Sequence, residues 1–392
     1  MTGESFIDVD FAQRAKHGQR VAGDVFLSRK IKEEGRVISV LSDGLGSGVK
    51  ASVLANLTAA MAAKYISAFV DIRKSAKTIM DTLPICEIRK ISYSTFTIAD
   101  VDDDGYARFI EHGNPALFLL RGTEVLPLEK AEITLAEWKD RVISYAEAQL
   151  QVGDRIIFFS DGITQSGMEQ RGMPMGWGRP AALAFVTGVL EREPEISSRQ
   201  IASQIVDMAY ANDRRKAKDD ITCGVIYFRH PRRLLIISGP PFAKERDSQL
   251  ADLVRTFAGR KAICGGTTAT IVGRILKRDV SMDLSHIDPE VPPTSIMDGV
   301  DLVTEGTLTL AKVAELLERH PPADKPRTNA ATRLVQLMLE SDIVDFVIGT
   351  RINDAHQDPN IPVELDLRRN IVRKIAALLE AKYLKETTNR FL

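Results

Sequence analysis

Four acidic elements in the first 220 residues have the types and settings to do chemistry: Asp24 in AGDVF, Asp43 in LSDGLGSG, Asp161 in FFSDGIT and Asp219-Asp220 in KDDIT. Three of them follow or interrupt apolar, β-branched runs, as carboxylates at strand ends do. A carboxylate there is costly unless it is hydrogen-bonded or bound to a cation. Several that converge repel one another unless a cation sits between them. Hard divalent ions such as magnesium and manganese take oxygen ligands and keep several waters. Two such ions about 3.5–4 Å apart clamp a phosphate and activate a water near neutral pH. The residues therefore point to an oxygen-ligand site for two divalent ions and to a phosphate-hydrolysing centre. Gly44 and Gly162 each follow an aspartate, and glycine lets backbone approach a metal without a Cβ in the way. His112, in EHGNP, has neither a GxSxG elbow nor an activated cysteine to work with.

The elements that must carry these aspartates are legible as hydrophobic patterns. Residues 36–42 form an apolar strand ending at Asp43-Gly44, and a helix rich in Ala, Leu and Met runs from Val49 to about Val70. Residues 91–99 and 106–112 alternate as paired strands around a VDDDG turn. Asp102–Asp104 of that turn could form a metal cluster, but a solvated hairpin tip is the better reading. Residues 116–120 and 124–128 form a second hairpin. QVGDRIIFF is a turn and a strong strand, GMEQRGMPMGWGRP is a loop, residues 180–191 and 197–211 are helices, and DDITCGVIYF leads into a strand. Strands, long helices and strands again give an α+β expectation, with helices packed on antiparallel sheet.

Taken in order, GD, DGxGSG after a strand, HGNP, FFSDGIT and DDIT before a strand resemble the SpoIIE-like branch of the metal-dependent serine/threonine protein phosphatases, the protein phosphatase 2C superfamily. The resemblance covers roughly residues 1–230. It implies a β-sandwich flanked by helices with two Mn²⁺ or Mg²⁺ ions between the sheets. It makes Asp24 and Asp43 the catalytic pair, with Asp24 a ligand of one metal and Asp43 the ligand bridging both. Gly44 would give its carbonyl, Asp161 and Asp219 would hold the other metal, and Asp220 would support them. Asn114 matches a structural turn of the family. An arginine that holds the substrate phosphate in many eukaryotic members has no well-matched counterpart; Arg20, four residues before Asp24, is spaced differently. The implied reaction is direct attack of the bridging water on a phosphoserine or phosphothreonine of a regulatory protein, such as an anti-sigma-antagonist-like partner. The helix after Gly46 and Gly48 would be a switch on partner binding or homodimerisation. The rival readings are a degenerate binding module and a phosphatase of small molecules.

The chain of 392 residues is too long for one ordinary core, and its texture changes near HPRR at 230–233. Beyond it, RLLIIS, KAICGG, GVDLVTEG and IVDFVIG read as strands. DSQLADLVRTFAG, TATIVGRILK, LTLAKVAELLERH and a tail from about 363 to 385 read as helices of a smaller α/β layered domain. PPADKPR at 321–327 is the most linker-like stretch. Gly265-Gly266-Thr267-Thr268 after Cys264 lies at a strand-to-helix junction, where free N–H groups favour a small anionic ligand. A plain glycine turn with threonine capping explains the same residues and is the simpler reading. Glu305-Gly306-Thr307 would face the same crevice. Neither a Walker lysine nor GxGxxG is present. Cys264 reads as buried rather than reactive, and Asp354, His356 and Asp358 read as a solvated loop rather than a metal site.

Bulk properties exclude several classes. The composition, 44% hydrophobic and 27% charged, is ordinary for a globular chain. A formal net charge of −1 gives no field that would favour nucleic acid or an anionic membrane. The three cysteines are far apart and the six histidines lack zinc spacing, which fits a reduced cytoplasm. The N-terminus has no apolar signal core, and no apolar run approaches the roughly 20 residues that span a bilayer.

Overall fold

A computed structural model describes residues 5–68, 78, 94–134, 142–170, 172–283, 288, 291–319, 329–351 and 361–392. Cys86, the PPADKPR stretch and Asp354, His356 and Asp358 lie outside the described residues, as do residues 69–70 and 91–93 at the expected ends of a helix and a strand. The chain divides into two units, Met1–His230 and Pro231–Leu392.

The first unit has two antiparallel sheets. One holds β1 (Phe6–Arg14), β6 (Phe118–Arg121), β7 (Glu124–Val125), β10 (Asp154–Phe159) and β11 (Ile221–Arg229), in the order β1-β11-β10-β6-β7. The other holds β2 (Val25–Ile31), β3 (Arg36–Gly44), β4 (Ser94–Asp102), β5 (Tyr106–His112), β8 (Ala131–Thr134) and β9 (Val142–Gln149), in the order β2-β3-β4-β5-β9-β8. Strand alternation with period two explains the layers. Val37 and Leu41 of β3 face Ile156 and Phe158 of β10 inside the sandwich, while Ile38 and Val40 turn outward to the helix α1 (Val49–Ser67). Ile157 and Phe159 turn outward under α3 (Gly178–Arg192) and α4 (Ser198–Asn212). Both faces of β3 and β10 are therefore covered, which is why these strands read as nearly unbroken apolar runs. A further helix among the described residues is a single turn, α2 (Asp161–Thr164).

Sequence reading missed β1, β2, β8 and β9. β1 passes from buried to exposed along its length, β2 has no fully buried residue, and Asp8, Asp10 and Arg29 interrupt the apolar pattern. What places them is pairing: β1 runs along β11 from Phe6↔Arg229 to Arg14↔Ile221, and β2 along β3 from Val25↔Ser42 to Ile31↔Arg36.

The second unit is built on one sheet, flanked on one face by α5 (Asp247–Thr256) and α6 (Gly266–Leu276) and on the other by α7 (Thr307–Arg319), α8 (Ala330–Leu339) and α9 (Ile361–Tyr383). Its strands are β12 (Arg233–Ser238), β13 (Arg260–Cys264), β14 (Val280–Asp283), β15 (Thr294–Met297), β16 (Val300–Thr304), β17 (Ile343–Ile348) and β18 (Glu386–Phe391). The order is β14-β15-β16-β13-β12-β17-β18, and the last five are mutually parallel. Counted along the chain, the parallel strands lie 3-2-1-4-5, a doubly wound arrangement whose ligands gather at the carboxyl ends of the strands. The antiparallel β14–β15 pair, β18 and α8 went unrecognised in the sequence.

The two sheets of the first unit close over Gly224 of β11. The Phe26 ring stacks on Phe11 and Phe158 at centroid distances of 4.7 and 5.9 Å, and a Cβ on Gly224 would meet Phe26 Cε2 at 2.4 Å. Gly224→Ala is therefore expected to cost about 1–3 kcal/mol through overpacking, measured as a lower midpoint in urea unfolding. A variant as stable as the wild type would show that the Phe26 contact is slack.

Candidate metal centre

Antiparallel register assembles the site. Val25↔Ser42 sets Asp24, just before β2, against Asp43, near the end of β3. Phe159↔Cys223 sets Asp161, just after β10, beside the Asp219-Asp220 pair that precedes β11. The two pairs belong to different sheets and meet at one edge of the sandwich. There, Asp43 feels the charges of Asp24, Asp161 and Asp219, and its carboxyl lies within hydrogen-bonding reach of Asp24 and of Asp161. Carboxyl-to-carboxyl contacts of this kind need a shared proton or a cation.

Glycines let these segments approach. A Cβ on Gly44 would stand 2.3 Å from Ala51 O, and one on Gly162 would stand 2.1 Å from Asp220 O. No side chain fits at either position without moving backbone. Gly48, at φ +73°, begins α1 without a side-chain cap, and Gly46, at φ +102°, holds the turn before it.

Asp24 is buried, and Thr222 Oγ1 donates to its Oδ2 at 2.7 Å. Ser160 braces this arrangement, its Oγ accepting from Thr222 N at 3.1 Å and donating to Asp220 O at 3.4 Å. Gln13 Nε2 donates both to Thr222 Oγ1, at 3.1 Å, and to Asp24 O, at 2.9 Å. Asp220 is also buried, and the N–H groups of Lys16 and Gly23 donate to its two carboxylate oxygens at 2.9 Å each. It thus anchors the loop that delivers Asp24, while Asp219 turns outward, 3.6 Å from Lys16 Nζ. Gln165 Nε2 donates to Asp161 Oδ2 at 2.8 Å. Sequence reasoning overlooked Gln13, Ser160 and Thr222. The last two sit next to the acidic motifs, in FFSD and DDIT, and a hydroxyl one or two residues from such an aspartate is the signal that was there to use.

Burial raises the Asp24 carboxyl well above the ordinary carboxylate range, helped by the charge of Asp220. Burial raises Asp43 further, with Asp24, Asp161 and Asp219 adding repulsion. Asp161 is raised by burial and by Asp219, and Asp220 by burial against the pull of its two amides. Several other buried acids of this unit have cations, while Asp213 is held by the N–H groups of Gly167 and Lys218. Asp100 lies between Arg36 and Arg108, Asp154 holds Arg121 at 2.8 Å, Asp8 holds Arg229 at 3.2 Å and Glu111 holds Lys130. Asp24 and Asp43 have no such partner among the described residues. Their oxygen-only donor set, short of positive charge, fits hard divalent ions. Among the described residues no three His, Cys, Asp or Glu side chains already stand as a finished metal shell. The carboxylates converge around Asp43 but are not drawn in to coordination distance.

The remaining residues singled out in the sequence lie elsewhere. Arg20 is exposed. Asn114 Nδ2 donates to Thr97 Oγ1 at 3.2 Å and its Oδ1 accepts from Thr95, so it ties the HGNP turn to β4. His112 Nδ1 lies 3.2 Å from Val142 O. Asp102 Oδ1 accepts from Tyr106 N at 2.8 Å within its turn, and Asp103 and Asp104 are exposed. Cys223 and Cys264 are buried, and burial pushes both thiols up, Cys264 to about 11.

Because burial raises Asp24 and Asp43 in the folded chain, the metal-free protein holds more protons folded than unfolded. Their contribution to stability therefore worsens as pH rises from the ordinary range near about 4 towards neutrality. Asp43→Asn is expected to melt higher than the wild type at about pH 8 in chelator, with the gap shrinking towards about pH 5. Manganese should raise the melting temperature of the wild type and release protons, and should do neither to Asp43→Asn. A pH-independent gap, or equal manganese stabilisation of both proteins, would contradict this electrostatic account.

The family model described as Stage II sporulation protein E (SpoIIE) matches residues 33–229. The chain is 24% identical over 220 residues to stage II sporulation protein E of Bacillus subtilis strain 168, covering 56% of this chain and 25% of that one. It thus spans a quarter of the length of that relative. Among solved structures, the PP2C phosphatase domain with a fragment of the regulatory domain of SpoIIE from Bacillus subtilis superposes with a TM-score of 0.47 at 21% identity, covering 58% of this chain and 64% of that one. The RsbU and RsbW domains of a Mycobacterium tuberculosis protein give a TM-score of 0.46 at 16% identity, covering 64% and 68%. RsbX in complex with magnesium gives 0.41 at 18% identity, covering 57% and 95%. Asp24 precedes the matched span, so its place at the site rests on the β2–β3 register. Matched by this family model over residues 33–229, half of its length, the chain belongs to the SpoIIE family.

Proposed function

We propose that the first unit is a metal-dependent phosphatase of phosphoserine or phosphothreonine in a regulatory protein. The observation that carries this reading is Asp43, a half-buried carboxyl that feels the charges of Asp24, Asp161 and Asp219, while among the described residues no cationic side chain pairs with Asp24, Asp43 or Asp161 and Lys16 pairs only with Asp219. In this proposal Asp24 would hold one ion, Asp161 with Asp219 would hold the other, Asp43 would serve both, and Gly44 would contribute its carbonyl. Two Mn²⁺ or Mg²⁺ ions held there would supply an activated water and stabilise charge on the phosphoryl oxygens. The chain's own residues then have defined tasks. Thr222 holds the Asp24 carboxylate in one orientation, as supporting hydrogen bonds do for metal ligands, and Ser160 braces Thr222 through its backbone N–H. Asp220 fixes the loop before Asp24. Gln165 orients Asp161. Family membership and the magnesium named with RsbX support the choice of metal. Among the described residues no helix is long and apolar enough to cross a membrane.

The test is hydrolysis of an aryl phosphate and of phosphoseryl or phosphothreonyl proteins by the full chain with manganese. Activity should vanish with chelator. Asp43→Asn should lower kcat/KM on the order of a hundredfold or more, and Thr222→Val by a smaller factor, about tenfold. Manganese binding without any turnover would leave a binding module, and faster turnover of small phosphate esters than of phosphoproteins would move the substrate class.

A further inference from the structure

The second unit carries a crest of donors that the phosphatase reading does not use. At the carboxyl ends of β12, β13 and β16, Ser238, Cys264 and Thr304 lie side by side in register. Two glycine turns face each other just beyond. Gly265 N donates to Thr304 O at 2.7 Å, and a Cβ on Gly266 would stand 3.4 Å from Glu305 Oε1. The first turn opens α6 and the second opens α7. The N–H groups of Gly266, Thr267 and Thr268 lie in the first turn of α6, where the helix offers them no acceptor, and no side chain caps them.

A second observation is independent of the helix end. Thr268 is 1% exposed, and its hydroxyl has no hydrogen-bond partner. That hydroxyl lies 3.3 Å from where a Cβ would stand on Gly265, whose φ of +139° suits glycine alone. It therefore faces the notch left by the missing side chain. Ser238 Oγ at the end of β12 and Thr309 Oγ1 in the first turn of α7 are also buried without partners. A helical threonine can satisfy itself through the carbonyl four residues back, as Thr58 does with Leu54 and Thr270 with Gly266. Thr268 stands too near the start of its helix for that. A buried hydroxyl left without a partner is costly, and three at one crest suit a ligand that brings acceptors.

We propose that the Gly265–Thr268 turn binds a small phosphate ester that also carries free hydroxyls. The phosphate sits on the first turn of α6, taking the N–H groups of Gly266, Thr267 and Thr268 and the hydroxyls of Thr267 and Thr268. That many donors match the three terminal oxygens of a phosphate better than the two of a carboxylate. Glu305, exposed and beside Gly266, is an acceptor only. It repels a bare anion and accepts a bond from a ligand hydroxyl, so it selects an ester over inorganic phosphate. With no lysine in the turn, the site reads geometry more than charge.

The test is calorimetric titration of the full chain in chelator, so that the acidic cluster of the first unit holds no metal. The probes are inorganic phosphate, a nucleoside 5′-monophosphate and a hexose phosphate. At least one ester should bind saturably and more tightly than inorganic phosphate, and which ester does so separates a nucleotide from a sugar ligand. Thr268→Val should weaken that ester about tenfold while leaving the melting temperature of the free chain unchanged or higher. Glu305→Gln should narrow the preference for ester over inorganic phosphate. The proposal is overturned if none of the three probes binds saturably, if inorganic phosphate binds as tightly as both esters, or if Thr268→Val binds like the wild type.

Discussion

Repulsion among buried carboxylates is the constraint on which the first unit turns. Asp24 is withdrawn from water and Asp43 partly so at the edge where the two sheets meet, next to Asp161 and Asp219. Elsewhere the same fold neutralises several of its buried acids with arginine or lysine, as at Asp100 and Asp154. At this edge it supplies hydroxyls, amides and more carboxylates instead. Such an arrangement is unfavourable alone and becomes favourable when a cation binds, so stability given up in the free protein reappears as affinity for metal.

The scaffold is built to hold that repulsion. Each acidic segment is locked at its base by antiparallel pairing within a sheet, and the segments meet through glycines where no Cβ fits, Gly44 against Ala51 and Gly162 against Asp220. Asp220 shows how closely opposite roles can sit along a chain. It spends its carboxylate on the amides of Lys16 and Gly23, and so fixes the loop that carries Asp24, while its neighbour Asp219, 3.6 Å from Lys16 Nζ, acts on Asp43 and Asp161 through its charge.

The second unit solves a different problem with parallel strands. Its helices start where strands end, which gathers uncapped N–H groups along one edge of the sheet. The acidic edge of the first unit is short of positive charge, and the crest of the second is short of acceptors. Both are places where the chain leaves polar groups for something else to satisfy.

The acidic motifs, the strong strands β3, β10 and β11, the helices α1 and α4, and the change of texture near residue 230 could all be read from the sequence. Each depends on local chemistry: an apolar run buried on both faces, a helical period, or an aspartate-glycine pair at a strand end. The amphipathic edges β1, β2, β8 and β9 could not, because neighbouring strands rather than their own composition hold them in the sheets. The family resemblance already gave Asp219 and Asp220 different roles, but the amides that hold Asp220 and the parts played by Gln13, Ser160 and Thr222 could not be read from the sequence. Those follow from which atoms the β2–β3 and β10–β11 registers bring within reach, across separations such as the 198 residues between Asp24 and Thr222. Residue types along the chain determined what chemistry was available; long-range strand pairing decided which groups share a site, because hydrogen-bond and charge distances exist only once the sheets have closed.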